Sequence, residues 1–279
     1  MYLDYFGFEQ YPFALTPNTA LFFGLSPHYE AIQTVMAGVA LGEGVLKVTG
    51  EVGTGKTLVC RMLIKQLEAD YSLVYLPNPV LSGAELRIAI AKELGIEQCQ
   101  QHTLLDDIQK KLIEAKQSKR PVVALIDEAQ ALSDEALETL RLLGNLETED
   151  SKLMHLVLFG QPELDARLEQ HHLRQFRQRI TFSATLRSMA KDECFAYVQQ
   201  RTMSAGREEE LFSHHQLVAI WRASKGVPRL VHQICHKTLL LAFGDNSQQV
   251  LNRHLYLAIK DTFDATKPIF KYPVLWGWK

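Results

Sequence analysis

Cysteine is scarce in this chain, with four in 279 residues: Cys60, Cys99, Cys194 and Cys235. They are far apart and never form a C-x-x-C pair, so the sequence offers neither a disulfide framework nor a thiolate metal knuckle. They read as reduced thiols packed on helices of a cytosolic protein. An excess of charge is missing as well, since 30 Lys and Arg face 32 Asp and Glu. A net charge of -2 gives no ground for a dedicated polyanion binder. No uncharged apolar run reaches the roughly 18 residues of a membrane-spanning helix. The opening "MYLDYFGFEQYPF" carries acids and lacks the basic and apolar regions of a signal peptide. Internal repeats and low-complexity tracts are absent too. What remains, at 47% hydrophobic and 22% charged residues, has the composition of a soluble globular protein working in the cytoplasm.

The apolar pattern alternates between two periods. Helical spacing behind a Ser-Pro start covers Ser26 to Leu41, and "VLKVTG" (Val45 to Gly50) reads as a buried strand. A helix from Lys56 to Ala69, the strand "YSLVYLP", and helices over Gly83 to Leu94 and Leu104 to Lys116 follow. After Pro121, "VVALID" is a continuous apolar run that fits a parallel strand covered on both faces. A helix over Asp134 to Leu143, a strand over Leu153 to Gly160 and a fifth strand over Arg179 to Leu186 continue the series. Such alternation predicts an α/β fold with a mostly parallel sheet flanked by helices. From Ser188 the pattern is helical only: Ala190 to Ala205, His214 to Ala223, Pro228 to Phe243 and Asn252 to Phe263. The expected division is therefore an α/β core over 1–187, a small helical domain over 188–265 and an aromatic tail over 266–279.

The chemistry sits where strand meets helix. "TGEVGTGKTL" satisfies G-x-x-x-x-G-K-[ST] through Gly50, Gly55, Lys56 and Thr57, after one predicted strand and before one predicted helix. A loop of Gly50, Glu51, Val52, Gly53, Thr54 and Gly55 can curl its amides toward phosphate oxygens, and the helix start at Lys56, Thr57 and Leu58 adds partial positive charge. Lys56 is expected to reach the β- and γ-phosphates of a nucleotide, and the Thr57 hydroxyl to ligate Mg²⁺. "VVALIDEAQ" supplies the acids. Asp127 would hold the metal's shell and Glu128 would orient and polarise the attacking water, which makes the site one for ATP hydrolysis. The strand "LVLFG" ends at Gln161, whose amide could touch the γ-phosphate or that water. In "KGVPRL", Arg229 stands in the first turn of a helix, where an anionic partner offsets the unfavourable dipole. "RLEQHHLRQFRQRI" carries Arg167, Arg174, Arg177 and Arg179. One of them is a candidate finger on a neighbouring subunit's nucleotide, with Arg179 ahead of Arg177. His232, Cys235 and His236 share one helical turn, but no further ligand accompanies them and a packed helix face explains them better than a metal does.

With these motifs in order, the chain resembles the AAA+ ATPases, and within them the ExeA/GspA secretion group, including its shorter members for biogenesis of MSHA-type pili. The likeness rests on "FGFEQYPFALTPNTALFFG", "PHYEAI", "GEVGTGKT", "LIDEAQAL", "LFGQPEL", "LRQFRQRI" and "GVPRLVHQIC". It implies a P-loop core with a helical lid, ATP and Mg²⁺ as ligands, and hydrolysis in an oligomer, hexameric or nucleotide-dependent. It also assigns Gly50, Gly53, Gly55, Lys56 and Thr57 to Walker A, Asp127 and Glu128 to Walker B, Gln161 to sensor 1 and Arg229 to sensor 2. His28 and Tyr29 become candidates beside the adenine. Larger relatives continue into a membrane span and a periplasmic domain, so for a chain ending at Lys279 any action on the cell wall is expected to pass through a membrane partner. The leading reading is an ATP-driven assembly factor for a type IV-like pilus or type II-like secretion apparatus, at the cytoplasmic side of the inner membrane. The alternative is a DNA-directed ATPase of the TniB-like transposition-helper kind. Neither a basic excess nor a helix-turn-helix favours it. The tail aromatics Phe270, Tyr272, Trp276 and Trp278 could dock a membrane partner or pack back on the lid.

Overall fold

Five consecutive residues without a polar side chain, Val122–Ile126, need cover on both faces, and each is fully buried inside a five-stranded sheet. The computed structural model describes residues 2–14, 24–97, 102–148 and 151–270. In chain order the elements begin with α1 (Tyr2–Phe6), α2 (Ser26–Ala40), β1 (Val45–Gly50), α3 (Lys56–Leu67), β2 (Ser72–Leu76), α4 (Gly83–Glu93) and α5 (Leu104–Gln117). Next come β3 (Val122–Ile126), a 3-10 turn (Ala129–Ala131), α6 (Asp134–Gly144), β4 (Met154–Gly160) and α7 (Pro162–Leu168). A second 3-10 turn (His171–Leu173), α8 (Arg174–Arg177) and β5 (Ile180–Leu186) complete the alternating part. Four helices follow: α9 (Lys191–Met203), α10 (His214–Ser224), α11 (Pro228–Gly244) and α12 (Asn252–Asp261).

The strands lie in the order β2-β3-β4-β1-β5 and every pair is parallel. Thr49 of β1 stands opposite Gly160 of β4, and Ile126 of β3 opposite Leu158 of β4. The chain therefore leaves β1, β3 and β4 at one edge, on adjacent strands, which is where open α/β sheets build their sites. Strand pleating splits the apolar residues between two faces. Val122, Ala124 and Ile126 join a core with Leu86, Ile90, Ile108, Leu137 and Leu140 from α4, α5 and α6. Their alternates Val123 and Leu125 project to the opposite face. β5 is an edge strand and alternates partly covered residues with exposed Thr181, Ser183 and Thr185. Ser82 and Glu85 form a capping box that starts α4, and Ser133 caps α6 by accepting from the Ala136 amide.

By their contacts the residues form two compact units. One comprises Ser26–Val52 and Lys56–Leu186; the other comprises Met1–Leu25, Gly53–Gly55 and Arg187–Lys279. The helical unit has its own core of Cys194, Val198, Phe212, Ile220, Val231, Ile234, Cys235, Leu239, Leu255 and Ile259. Tyr2, Phe6, Phe8 and Phe13 of the opening segment are buried in that same core. Here the structure departs from the expected 1–187 core, because the first residues group with the helices instead. Their aromatic rings pack among the helices, and their main chain is held by hydrogen bonds to the helical unit. Arg201 donates to Pro12 O at 2.7 Å, Arg207 to Phe6 O at 2.7 Å, and Glu9 N donates to Ala205 O at 2.8 Å.

The histidine cluster on α11 belongs to this packing. His232 Nδ1 meets Ala14 O at 2.8 Å, so that nitrogen carries the proton, and Nε2 accepts from the Tyr197 hydroxyl at 2.8 Å. Burial pushes the His232 pKa down to about 4, and Cys235 is fully buried beside it. His236 Nδ1 pairs with the Tyr2 hydroxyl at 2.9 Å. Among the described residues no group of three or more His, Cys, Asp or Glu is arranged to hold a metal ion, and no helix is long and apolar enough to cross a membrane. The start of the expected tail is anchored: Ala265 is buried and Thr266 N donates to Ala223 O at 2.8 Å. Phe270 is half-exposed, while Tyr272, Trp276 and Trp278 lie outside the described residues, as does Cys99.

Gly226 closes the turn between α10 and α11 with φ of +73°, and a Cβ there would stand 2.2 Å from Met189 O. Its carbonyl accepts from Met189 N at 2.9 Å. Gly226→Ala is expected to destabilise the helical unit by about 3 kcal/mol, combining a left-handed backbone with a clash that only main-chain movement relieves. Urea unfolding followed by circular dichroism checks this, and a parental midpoint would contradict it.

Candidate functional site

β1 ends at Gly50 and α3 begins at Lys56, so the chain turns the strand-to-helix corner within the intervening residues. Gly53 and Gly55 make the turn with φ of +83° and +102°, a region that side chains other than glycine rarely enter. The corner ends at the N-terminus of a 12-residue helix, whose first amides and partial positive charge gather there. Lys56, 5% exposed, donates from Nζ to Gly50 O at 2.7 Å and Glu51 O at 3.1 Å. Burial holds its pKa below the ordinary lysine value, while the carboxylates of Glu128, Asp127, Glu51 and Glu163 pull the other way.

Asp127 follows the apolar run of β3. Its amide extends the ladder by donating to Leu76 O at 2.9 Å, and the residue is 2% exposed. Asp127 Oδ2 accepts from the Thr57 hydroxyl at 2.8 Å and Oδ1 from the Glu128 amide at 3.0 Å. Burial pushes its carboxyl above the usual range, against the pull of those two hydrogen bonds. Glu128 sits in the left-handed region with φ of +53°, which costs a non-glycine residue about 1 kcal/mol. Gln161, the residue before α7, donates from Nε2 to Glu128 Oε2 at 3.1 Å. The amide expected near phosphate or water thus rests on the carboxylate.

The structure adds a residue that the sequence reading passed over. Gln130, in the 3-10 turn after Glu128, donates from Nε2 to Glu128 Oε2 at 2.5 Å and accepts from Gln161 N at 3.1 Å. It stands in "DEAQ", two positions past the acid, yet nothing in its spacing distinguishes it from a turn residue.

The four arginines of the basic segment divide. Arg167 is tied inside its own unit: Nη1 donates to Gln130 O at 2.9 Å and Leu132 O at 2.6 Å, and Nη2 pairs with Asp134. That removes it from the fingers considered. Arg174, Arg177 and Arg179 are exposed, the first two on α8 and the third just before β5. Lys56, Thr57, Asp127, Glu128 and Gln161 come together at one sheet edge. His28 is buried and Tyr29 is 51% exposed, both in the first turn of α2. Val52 is 53% exposed, Thr54 is buried, and Leu58 is half-buried on α3. Gly53, Thr54 and Gly55 group with the helical unit, where Arg229 N donates to Gly53 O at 3.2 Å from the first turn of α11.

A family model described as an AAA domain matches residues 40–168. The chain is 38% identical over 261 residues to General secretion pathway protein A of Aeromonas hydrophila, across 92% of this chain and 48% of that protein. Its fold is of the AAA type, and residues 40–168 are the part that matches the family. The chain spans about half the length of the curated relative it matches. Among solved structures, Cdc6p from Pyrobaculum aerophilum superposes with a TM-score of 0.71 at 18% identity, covering 90% of this chain and 70% of that one. The Aeropyrum pernix ORC1 protein, in complex with DNA, does so with a TM-score of 0.68 at 16% identity, covering 90% and 69%. At such identities the likeness carries the fold alone. The AAA fold accounts for the parallel sheet and for the strand edge at which the motif residues meet.

Asp127 holds its proton more tightly folded than unfolded, so its charge costs stability above the folded pKa and acidification through that pKa restores it. In Asp127→Asn the Thr57 hydroxyl can accept from the new amide. The variant is expected to be more stable than the parent at neutral pH without nucleotide, while losing any Mg²⁺-dependent stabilisation by ATP. A thermal-shift titration reads both effects. A neutral-pH midpoint at or below the parental one would refute the burial argument.

Proposed function

We propose that this AAA-domain protein binds and hydrolyses ATP with Mg²⁺, as an assembly factor for a type II-like secretion apparatus or a type IV-like, MSHA-type pilus. The observation that carries the enzymatic part is the meeting of a buried ammonium, Lys56, with the Asp127–Glu128 pair, at the ends of β1 and β3 on either side of β4. In this reading Gly50, Glu51, Val52, Gly53, Thr54 and Gly55 wrap the phosphates, and Lys56 exchanges its two carbonyl partners for phosphate oxygens. Thr57 and Asp127 would hold Mg²⁺, a hard cation that takes a hydroxyl and a carboxylate and leaves its other positions to water and phosphate. When bound, Mg²⁺ neutralises charge on the β- and γ-phosphates. The charge balance supports its need, because one ammonium against two carboxylates leaves a pocket that a bare triphosphate would enter poorly.

Glu128 orients the attacking water, Gln161 steadies Glu128, and Arg229 meets the γ-phosphate. Arg179, with Arg177 as second choice, acts on a neighbour's nucleotide in an oligomer. Support for the secretion role comes from the likeness to General secretion pathway protein A. On the same likeness we place the action at the cytoplasmic face of the inner membrane, through a membrane partner.

Lys56→Ala is expected to lower Mg²⁺-dependent ATP turnover at least about 100-fold, and Glu128→Gln to do the same while retaining nucleotide. Parental turnover in Lys56→Ala would remove the reading. Mixing Lys56→Ala with Arg179→Ala should restore part of the activity, since each supplies what its neighbour lacks. No recovery over the mixing range, with parental activity in Arg179→Ala alone, would rule out Arg179. Affinity capture with the Glu128→Gln form tests the biological role. Pilus or secretion membrane proteins would uphold it, and DNA or a transposase would favour the DNA-directed alternative.

A further inference from the structure

A carboxylate that must orient water cannot be left free to turn. Glu128 stands on a strained main chain, at φ of +53°, and its side chain is held from one side. Two amide donors converge on Oε2, Gln130 Nε2 at 2.5 Å and Gln161 Nε2 at 3.1 Å. The orientation of the Gln130 amide follows from its partners. Its Oε1 accepts from the Gln161 main-chain N–H at 3.1 Å, so its NH₂ must face the carboxylate. Gln130 is held in turn. Arg167 grips the carbonyls of Gln130 and Leu132, at 2.9 and 2.6 Å, and is itself paired with Asp134, which also meets His172 Nε2 at 2.8 Å. The result is a continuous polar path within the α/β unit from Glu128 to the segment that precedes α8.

We propose that Gln130 is a positioning residue for ATP hydrolysis, braced by Arg167, which pins Glu128 Oε2 and reserves Oε1 for the attacking water. The inference rests on the ATPase reading above. It adds that one turn amide joins two strand ends, bonding to the acid after β3 with its NH₂ and to the first residue after β4 with its carbonyl. Losing it would free the Glu128 side chain without touching the loop that grips phosphate. The predicted signature is therefore a fall in kcat with nucleotide affinity retained.

Steady-state ATP turnover and mant-ATP affinity are measured on the full chain for the parent, Lys56→Ala, Gln130→Ala and Gln130→Glu. The glutamate variant keeps the acceptor for Gln161 N–H and the side-chain shape while removing the donor to Glu128. Both Gln130 variants should lose on the order of 100-fold in kcat, with mant-ATP affinity within about threefold of the parent. In a Glu128→Gln background, Gln130→Ala should change single-turnover hydrolysis by less than about twofold, because its effect passes through the carboxylate. A purely structural residue would lower the rate in both backgrounds and weaken nucleotide binding. Parental kcat in Gln130→Ala, lost affinity in both variants, or an undiminished effect in the Glu128→Gln background would each overturn the proposal. An inactive parent, or Lys56→Ala equal to the parent, would instead remove the ATPase reading beneath it.

Discussion

An ammonium group buried at the start of a helix is the constraint around which the α/β unit is arranged. Lys56 is withdrawn from water and its burial works against its own charge. Two backbone carbonyls and the nearby carboxylates of Glu128 and Asp127 make the charge tolerable. Those partners come from separate strands, so they converge only if β1, β4 and β3 lie side by side with their ends level. The observed registers, Thr49 opposite Gly160 and Ile126 opposite Leu158, meet that condition. Strand order, usually discussed as a matter of topology, is here a requirement of electrostatics.

The acids show the same dependence from the other side. Asp127 is costly where it stands, since burial opposes its ionised form and the Thr57 hydroxyl, the Glu128 amide and the Lys56 ammonium offset this only in part. Glu128 takes a backbone conformation that few residues with a side chain adopt. Charge burial and backbone strain thus fall on consecutive residues at one sheet edge. Natural chains break local rules of this kind where function demands it.

Much of this was legible in the sequence. Apolar runs such as "VVALID" announce buried parallel strands, and the glycines around Lys56 mark the corner between two periods. The remainder was hidden for physical reasons. Left-handed backbone at Glu128 has no residue signature, because glycine or asparagine is the usual mark of that region. Gln130 looks like any polar turn residue until the β4 end arrives beside it, a relation set by pairing between strands distant in sequence. Arg167 shared a basic stretch with Arg174, Arg177 and Arg179, and composition cannot tell a guanidinium that holds two carbonyls from one that faces solvent. Adjacency in sequence groups the opening aromatics with the α/β segment that follows, whereas burial puts Tyr2, Phe6, Phe8 and Phe13 with the helices.

The buried polar groups of the helical unit sharpen the contrast. Arg201 and His232 are as sheltered as the residues at the strand edge, and each has a partner fixing a segment of chain: Pro12 O for Arg201, Ala14 O and the Tyr197 hydroxyl for His232. His232 is held neutral, with a pKa near 4, while the Arg201 guanidinium keeps its charge and spends it on a main-chain carbonyl. The α/β edge is built differently. Lys56, Asp127 and Glu128 concentrate charge of both signs in little space, a choice that apolar packing would improve on if stability were the sole requirement. Burial alone therefore does not separate a functional site from a structural one. The discriminating feature is charge of both signs gathered at one strand edge, with side-chain amides such as those of Gln130 and Gln161 spent on orienting a carboxylate instead of on securing the chain.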